Sequence, residues 1–298
     1  MQIRFVTVDV FTDRKFGGNQ LAVVPQAAAL TSEQMQSIAA EFNFAETTFV
    51  LPPQDASHTA EVRIFTPRSE LPFAGHPNIG TAYVLATDSE GYPRALPDPI
   101  LFEEKAGLVR LSLMRQGASV VGARLTPPQS LVRGDDIDVD IVAAACSLTP
   151  ADIETANHRP CIASCGIPLA FAELKSRAAL TAAQPRTDVF MADLPADRIT
   201  GVLLYAKDQT GEFDLQARMF APLYGVPEDP ATGSANACLA AYLLKHKYFP
   251  RQQLDIRVEQ GHEVGRPSLL RVRAEMQGSS PSISVGGRVI LTVRGELV

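Results

Sequence analysis

Two segments of this chain follow one pattern, and a chain built on an internal repeat folds as two related halves. Arg63-Ile64-Phe65-Thr66-Pro67 stands beside Arg218-Met219-Phe220-Ala221-Pro222. Each runs on through a loop to a glycine: Pro72-Phe73-Ala74-Gly75-His76 in the first copy, Pro230-Ala231-Thr232-Gly233-Ser234 in the second. With Gly75 laid on Gly233, Asn78 falls on Asn236, Ala82 on Ala240 and Leu85 on Leu243. Proline and glycine are common wherever a strand meets a helix. Here a strand end, a loop glycine and a helix face match in the same order, so each copy reads strand, loop, glycine, helix. At 298 residues the chain is long enough for two ordinary cores.

Short strand-like runs punctuated by Gly, Pro and Asp dominate, with a few helical segments between them, which makes the class α+β. In the first half the alternation predicts strands at about 3 to 10, 20 to 25, 47 to 51, 60 to 66, 100 to 105, 107 to 114 and 118 to 126. A helix at 32 to 42 opens with a cap at Thr31 or Ser32 and carries Glu33 in its first turn. A second helix begins near His76. Residues 127 to 135, with Pro127, Pro128 and Gly134, read as a linker, dividing the chain into domains 1–126 and 127–298. The second half predicts helical stretches near 137 to 146 and 150 to 156. Strands are expected at about 160 to 164, 168 to 174, 200 to 206, 213 to 221, 254 to 260, 269 to 276 and 283 to 294, the last able to cross back to the first domain. The helix at about 234 to 247 is apolar on nearly every side, as a helix enclosed by a sheet must be.

Composition removes several function classes. A net charge of −6 with 20% charged residues offers no basic stripe for a phosphate backbone, so nucleic acid is not an expected partner. Met1 to Val10 alternates like a strand and has no signal-peptide character, which predicts a cytoplasmic protein. The helix at 234 to 247 is shorter than the roughly 20 residues a membrane crossing needs. Cys146, Cys161, Cys165 and Cys238 show no paired spacing and read as reduced and structural. The histidines are scattered, and neither a GxxxxGK[ST] nor a GxGxxG loop occurs, so metal, ATP and NAD are not implied and no cofactor is expected.

The repeated glycine carries chemistry. A helix start leaves backbone N–H groups without intrahelical partners and bears a partial positive charge, so a glycine there lets an anion approach closely. Two such starts, facing one another across a pseudo-twofold axis, would form a cleft suited to a carboxylate.

The residues that carry a family resemblance are Phe65 to Ala82 (FTPRSELPFAGHPNIGTA) and Gly225 to Leu244 (GVPEDPATGSANACLAAYLL). The VDVFT…GGNQLAVV start, Asn43 to Val50 (NFAETTFV) and Glu259 to Ser268 (EQGHEVGRPS) add to them. Over nearly its whole length the chain resembles the phenazine-biosynthesis isomerase family, PhzF-like. The resemblance implies a diaminopimelate-epimerase-like fold, in which two pseudo-symmetric domains each wrap a curved, barrel-like sheet around a central helix. It also implies a homodimer and a small carboxylic acid as substrate. Related racemases and epimerases place a cysteine before each helix-opening glycine; here those positions hold Ala74 and Thr232, so a two-thiol racemisation is not available.

By residue type alone Glu46 reads as a strand-edge glutamate, His76 as a helix cap, Asp229 as a loop aspartate and Ser234 as an N-terminal hydroxyl. The resemblance gives them roles. Glu46 matches the general acid/base, and enclosure would raise its pKa toward the working range. His76, Asp229 and Ser234 would hold and polarise the substrate, while Gly75 and Gly233 would offer N–H groups to its carboxylate. The implied reaction is a proton shift on one face of a conjugated acid, of the trans-2,3-dihydro-3-hydroxyanthranilate isomerase type. Isomerisation, epimerisation or elimination on another small amino or hydroxy acid remains open. So do a ligand-binding protein without turnover and a scaffold.

Overall fold

The computed structural model describes residues 2–88, 95–195, 198–246, 248 and 253–298. It divides into two units, Met1–Pro128 with Val285–Val298, and Gln129–Ser284.

The first unit runs β1 (Ile3–Val10), β2 (Asn19–Val24), α1 (Ser32–Phe42), β3 (Glu46–Leu51), β4 (Ala60–Phe65), β5 (Glu70–Leu71), α2 (Gly75–Thr87), β6 (Ile100–Glu104), β7 (Gly107–Gln116) and β8 (Ser119–Thr126). β1 and β2 are antiparallel, β2 and β3 parallel, β3 and β4 antiparallel, β4 and β6 parallel, and β6, β7 and β8 antiparallel. The second unit begins with β9 (Val132–Asp136), α3 (Val139–Ala145), β10 (Ile153–Glu154), β11 (Cys161–Ser164), β12 (Pro168–Leu174), α4 (Arg177–Ala182) and α5 (Thr187–Ala192). It continues through β13 (Val202–Lys207), β14 (Leu215–Ala221), β15 (Val226–Asp229), α6 (Gly233–Lys245), β16 (Gln253–Gln260) and β17 (Ser268–Gln277). Its pairing repeats the first: β11–β12 antiparallel, β12–β13 parallel, β13–β14 antiparallel, β14–β16 parallel, β16–β17 antiparallel. The long β18 (Ser280–Leu297) pairs its Val285–Arg288 with β8 and its later residues with β1, which closes the first unit's sheet into a barrel.

α2 fills that barrel, packing on β1, β2, β3, β7 and β8. It is buried from Gly75 to Ala82 on every side, so it shows no amphipathic stripe. Gly80 permits this fit: a Cβ there would lie 2.5 Å from the Leu21 side chain and 2.9 Å from that of Val10. α6 occupies the matching place in the second unit, packed on β11, β16 and β17 with Leu239, Leu243 and Ala240 fully buried.

The repeated residues do the same work in each unit. Arg63 grips Glu70 through Nε and Nη2, both at 2.8 Å, tying β4 to β5, and its guanidinium lies 5.1 Å from the Phe65 ring centroid. Arg218 grips Glu228 at 2.9 and 2.6 Å, tying β14 to β15, and lies 4.9 Å from the Phe220 ring. Asn78 Nδ2 donates to Ala74 O at 2.8 Å and Asn236 Nδ2 to Thr232 O at 2.9 Å, so each asparagine fastens the residue that precedes its helix.

Three expectations change. Residues 127 to 135, read as a linker, contain most of β9, which pairs with β11 and is flanked by the buried Leu131 and Ile137. The helix expected at 150 to 156 is a single 3₁₀ turn at Pro150–Asp152 followed by β10, because Ile153 pairs with Leu174. The short α4 and α5 had no counterpart in the sequence pattern; Leu180 and Phe190 cover the outer face of the second sheet in one cluster with Leu204 and Phe220. The end of the helix expected at 247 lies outside the described residues.

Candidate active site

Glu46 is placed by the end of a helix. Thr31 caps α1, its Oγ1 accepting from Gln34 N at 3.3 Å while Thr31 N donates to Gln34 Oε1 at 2.9 Å, a reciprocal pairing that stabilises the helix by about 1 kcal/mol. Met35 and Ala39 anchor α1 on Phe49 and Phe65. Asn43 then ends it in the left-handed region, φ 52°, which turns the chain into β3 with Glu46 as its first residue. Parallel pairing with β2 sets Glu46 opposite Leu21.

Asn19 opens β2 after a tight turn. Gly18 has φ +64°, and a Cβ there would stand 2.2 Å from Val10 O, so only glycine delivers Asn19 to this place. The buried Asn19 Nδ2 lies 3.2 Å from Nδ1 of His76, in the first turn of α2. With the asparagine amide donating, Nδ1 is the acceptor and Nε2 carries the hydrogen. Nε2 is 3.4 Å from Glu46 Oε2. The Glu46 side chain keeps 17% of its exposure, whereas His76 is buried. Burial pushes the His76 imidazole down to about 3, a contact with the Gln20 backbone partly offsetting it. His76 is therefore neutral at physiological pH, with its Nε2 beside the Glu46 carboxyl.

This has a measurable consequence. Nitrogen-15 NMR of the imidazole should show no protonation of His76 from pH 5 to 8; a titration centred in that window would overturn the neutral assignment. Because the folded-state value lies below the unfolded 6.5, the stability contributed by this burial is fully present above pH 6.5 and is lost as pH falls toward 3.

In the second unit the helix start is polar. Asp229 ends β15, and the Thr232 hydroxyl, in the position preceding Gly233, donates to Asp229 Oδ2. Gln260, the last residue of β16, donates Nε2 to Asp229 O at 2.7 Å and to Thr232 Oγ1 at 3.0 Å. Its Oε1 accepts from Thr232 N at 3.2 Å and Asn236 Nδ2 at 2.8 Å. Gly233 is buried and Ser234 half-buried beside it. Thus Glu46, Gly75 and His76 come together in the first unit, and Asp229, Gly233 and Ser234 in the second. Neither Ala74 nor Thr232 makes a side-chain cap bond to its helix.

Asn19, Thr232 and Gln260 were not foreseen as site residues. Asn19 and Gln260 sit in the GGNQLAVV and EQGHEVGRPS motifs, but a motif does not say which of its amides turns inward. The four cysteines are free and buried. Burial pushes Cys146 up to about 12, and a hydrogen bond with Cys165 together with burial also raises Cys238, so neither is a ready thiolate. No helix among the described residues is long and apolar enough to cross a membrane.

The model of a family described as phenazine biosynthesis-like protein matches residues 8–295. The trans-2,3-dihydro-3-hydroxyanthranilate isomerase of Pseudomonas aeruginosa is 35% identical over 290 residues, covering 95% of each chain. A PhzF-family phenazine biosynthesis protein of Bacillus anthracis superposes with a TM-score of 0.88 at 22% identity, covering 100% of this chain and 99% of that one. A hydroxyproline epimerase of Agrobacterium vitis superposes at 0.66 with 14% identity, covering 99% and 91%. At those identities the two superpositions speak for the α+β, epimerase-like architecture alone. Matched along almost its whole length to the family and at 35% identity to one of its isomerases, the chain belongs to the phenazine biosynthesis-like family as a PhzF-like isomerase.

Proposed function

We propose that this protein, acting in the cytoplasm as a homodimer, catalyses a cofactor-independent proton shift on a small cyclic amino or hydroxy acid of the trans-2,3-dihydro-3-hydroxyanthranilate type. The observation that carries the reading is the Glu46 carboxylate 3.4 Å from a neutral, buried His76 at a helix start. Glu46 takes a proton from an activated carbon: the C–H bond breaks, an O–H bond forms on the carboxyl, and the electron pair passes into the conjugated system. The same carboxyl returns a proton at another carbon, so the enzyme ends as it began. His76, with Nε2 3.4 Å from Glu46 Oε2, offers a neutral polar edge to the carboxyl and the substrate. Gly75 in the first unit and Gly233 in the second each offer backbone N–H groups suited to a carboxylate, and Asp229 and Ser234 offer partners for an amine or hydroxyl. Fixing Asp229 through Thr232 and Gln260 reduces the reorganisation needed when charge develops.

Incubation in D2O with trans-2,3-dihydro-3-hydroxyanthranilate and a panel of related acids, followed by NMR, tests this. Isomer formation with deuterium entering at carbon is expected. Saturable binding with neither isomer nor exchange on any panel member would leave a ligand-binding protein in its place.

A further inference from the structure

The residues behind the two helix starts are not the same. In the second unit Gln260 ends β16 and makes four hydrogen bonds to the Asp229–Asn236 segment. In the first unit β6 holds the place of β16, parallel to β4 as β16 is to β14, and it ends at Glu104. Just beyond, Ala106 N donates to Pro72 O at 3.0 Å, fastening this strand end to the segment that leads into Ala74. Asn78 plays the part of Asn236, with its Nδ2 on Ala74 O.

Both Glu104 carboxyl oxygens are buried, as is Asn78 Oδ1, and none of the three has a partner at hydrogen-bond geometry. The Asn78 side chain is nonetheless close enough to act on the carboxyl. A carboxylate in this place would be a buried charge with no ion-pair partner among the described residues. A carboxylic acid has one donor and one acceptor, like the amide of Gln260. The surrounding charges are engaged elsewhere. Lys105 Nζ bonds Glu70 at 2.6 Å, and Glu70 also holds Arg63 on β4. Glu103 holds His58 at 2.7 Å, and Glu61 on β4 stands opposite Glu103. On α2 the titratable side chains are Tyr83 and the neutral His76, and β7 presents Gly107 opposite Glu104. Burial pushes Glu104 up to about 8, the Asn78 contact offsetting it in part, and no charged neighbour contributes.

We propose that Glu104 is held as a neutral carboxylic acid, the first unit's counterpart of Gln260, so that the start of α2 at Gly75 can attract an anion, and that its ionisation cancels this attraction. A negative charge behind the helix start would oppose both the helix dipole and the N–H groups offered to a ligand carboxylate. The proposal rests on the reading of Gly75 as a carboxylate-binding position, and makes Glu104 a positioning residue that renders ligand binding pH-dependent.

The test uses anthranilate, a non-reacting carboxylate, so that binding is read without turnover. If the ionised form does not bind, Kd should rise roughly tenfold between pH 7 and pH 9 as the competent fraction falls. In Glu104→Gln, which installs the amide that the second unit already uses, Kd should stay level across that range. Stability gives an independent reading. With the folded-state value above the unfolded 4.5, the contribution of Glu104 is fully present below about pH 4.5 and lost as pH rises to about 8. The fall in Tm between pH 5 and pH 9 should therefore be smaller in Glu104→Gln. In the parent protein labelled with carbon-13 glutamate, one protonated carboxyl band should persist in the infrared at pH 7 and vanish by pH 10. No such band, or an unchanged Tm profile in the variant, would overturn the neutral acid. A Kd that rises equally in both proteins, or no anthranilate binding at any pH, would overturn its link to the ligand. Failure of proton exchange in D2O, with these results intact, would instead count against the proposed reaction.

Discussion

Glu46→Gln is expected to lower kcat by about 10²- to 10⁴-fold while leaving the Kd of anthranilate within a few-fold of the parent. The amide has the shape of the carboxylate and keeps an oxygen that can accept from His76 Nε2, 3.4 Å away in the parent. What it cannot do is take a proton from carbon. A change confined to kcat is the signature of an interaction made in the transition state rather than in the bound ground state. His76, whose Nε2 lies 3.4 Å from Glu46 Oε2, is kept neutral by burial and is a poor substitute for the carboxylate as a base on carbon. A variant turning over at near the parent rate would remove Glu46 from the general acid/base role.

Arg218→Met is expected to cost about 3–5 kcal/mol of stability, several times the cost of Arg63→Met, although the two arginines are repeat equivalents. Arg218 is 3% exposed and Glu228 8%, so truncation leaves a buried carboxylate without its fork. It also strips Nη1 from three backbone carbonyls, Leu180 at 2.9 Å, Thr181 at 3.1 Å and Ala183 at 2.7 Å, which close the end of α4. The Arg63 side chain is 20% exposed, and Glu70 retains Lys105 when Arg63 is lost, so about 1 kcal/mol or less is expected there. Replacing both members, Arg218→Met with Glu228→Leu, should recover part of the loss by removing the stranded charge. Urea denaturation of the four proteins decides this; equal costs for the two single variants would show that burial does not distinguish the repeats. Because Glu228 precedes Asp229 on β15, Arg218→Met should also loosen the half-site.

Local elements were legible where the chain itself stabilises them. α1 runs over Ser32–Phe42 as read, because Thr31 and Gln34 close its first turn within four residues. The starts of α2 and α6 were visible in the repeated glycines. α4 was not: six residues are too few to hold a helix alone, and its last carbonyls are satisfied by Arg218 from a strand 35 or more residues away. β9 was hidden by Pro127, Pro128 and the acidic pair Asp135 and Asp136, and exists through its pairing with β11. Strands such as β13, buried on both faces, show no alternation from which an inward face can be read.

The repeat, the two glycine helix starts and the absence of thiols before them are properties of the sequence by itself. They follow from residue identity and spacing, which no fold can alter. Family membership, too, was readable in the motifs, since these are long and tied to position. The tertiary structure alone decided that His76 is neutral, that Asn19 and Gln260 turn their amides to the helix starts, and that two repeat-equivalent Arg–Glu forks differ in burial. Proton affinity depends on the removal of water by segments distant in sequence, and an amide's partners depend on which strand ends lie beside it. Neither quantity is encoded in a run of neighbouring residues.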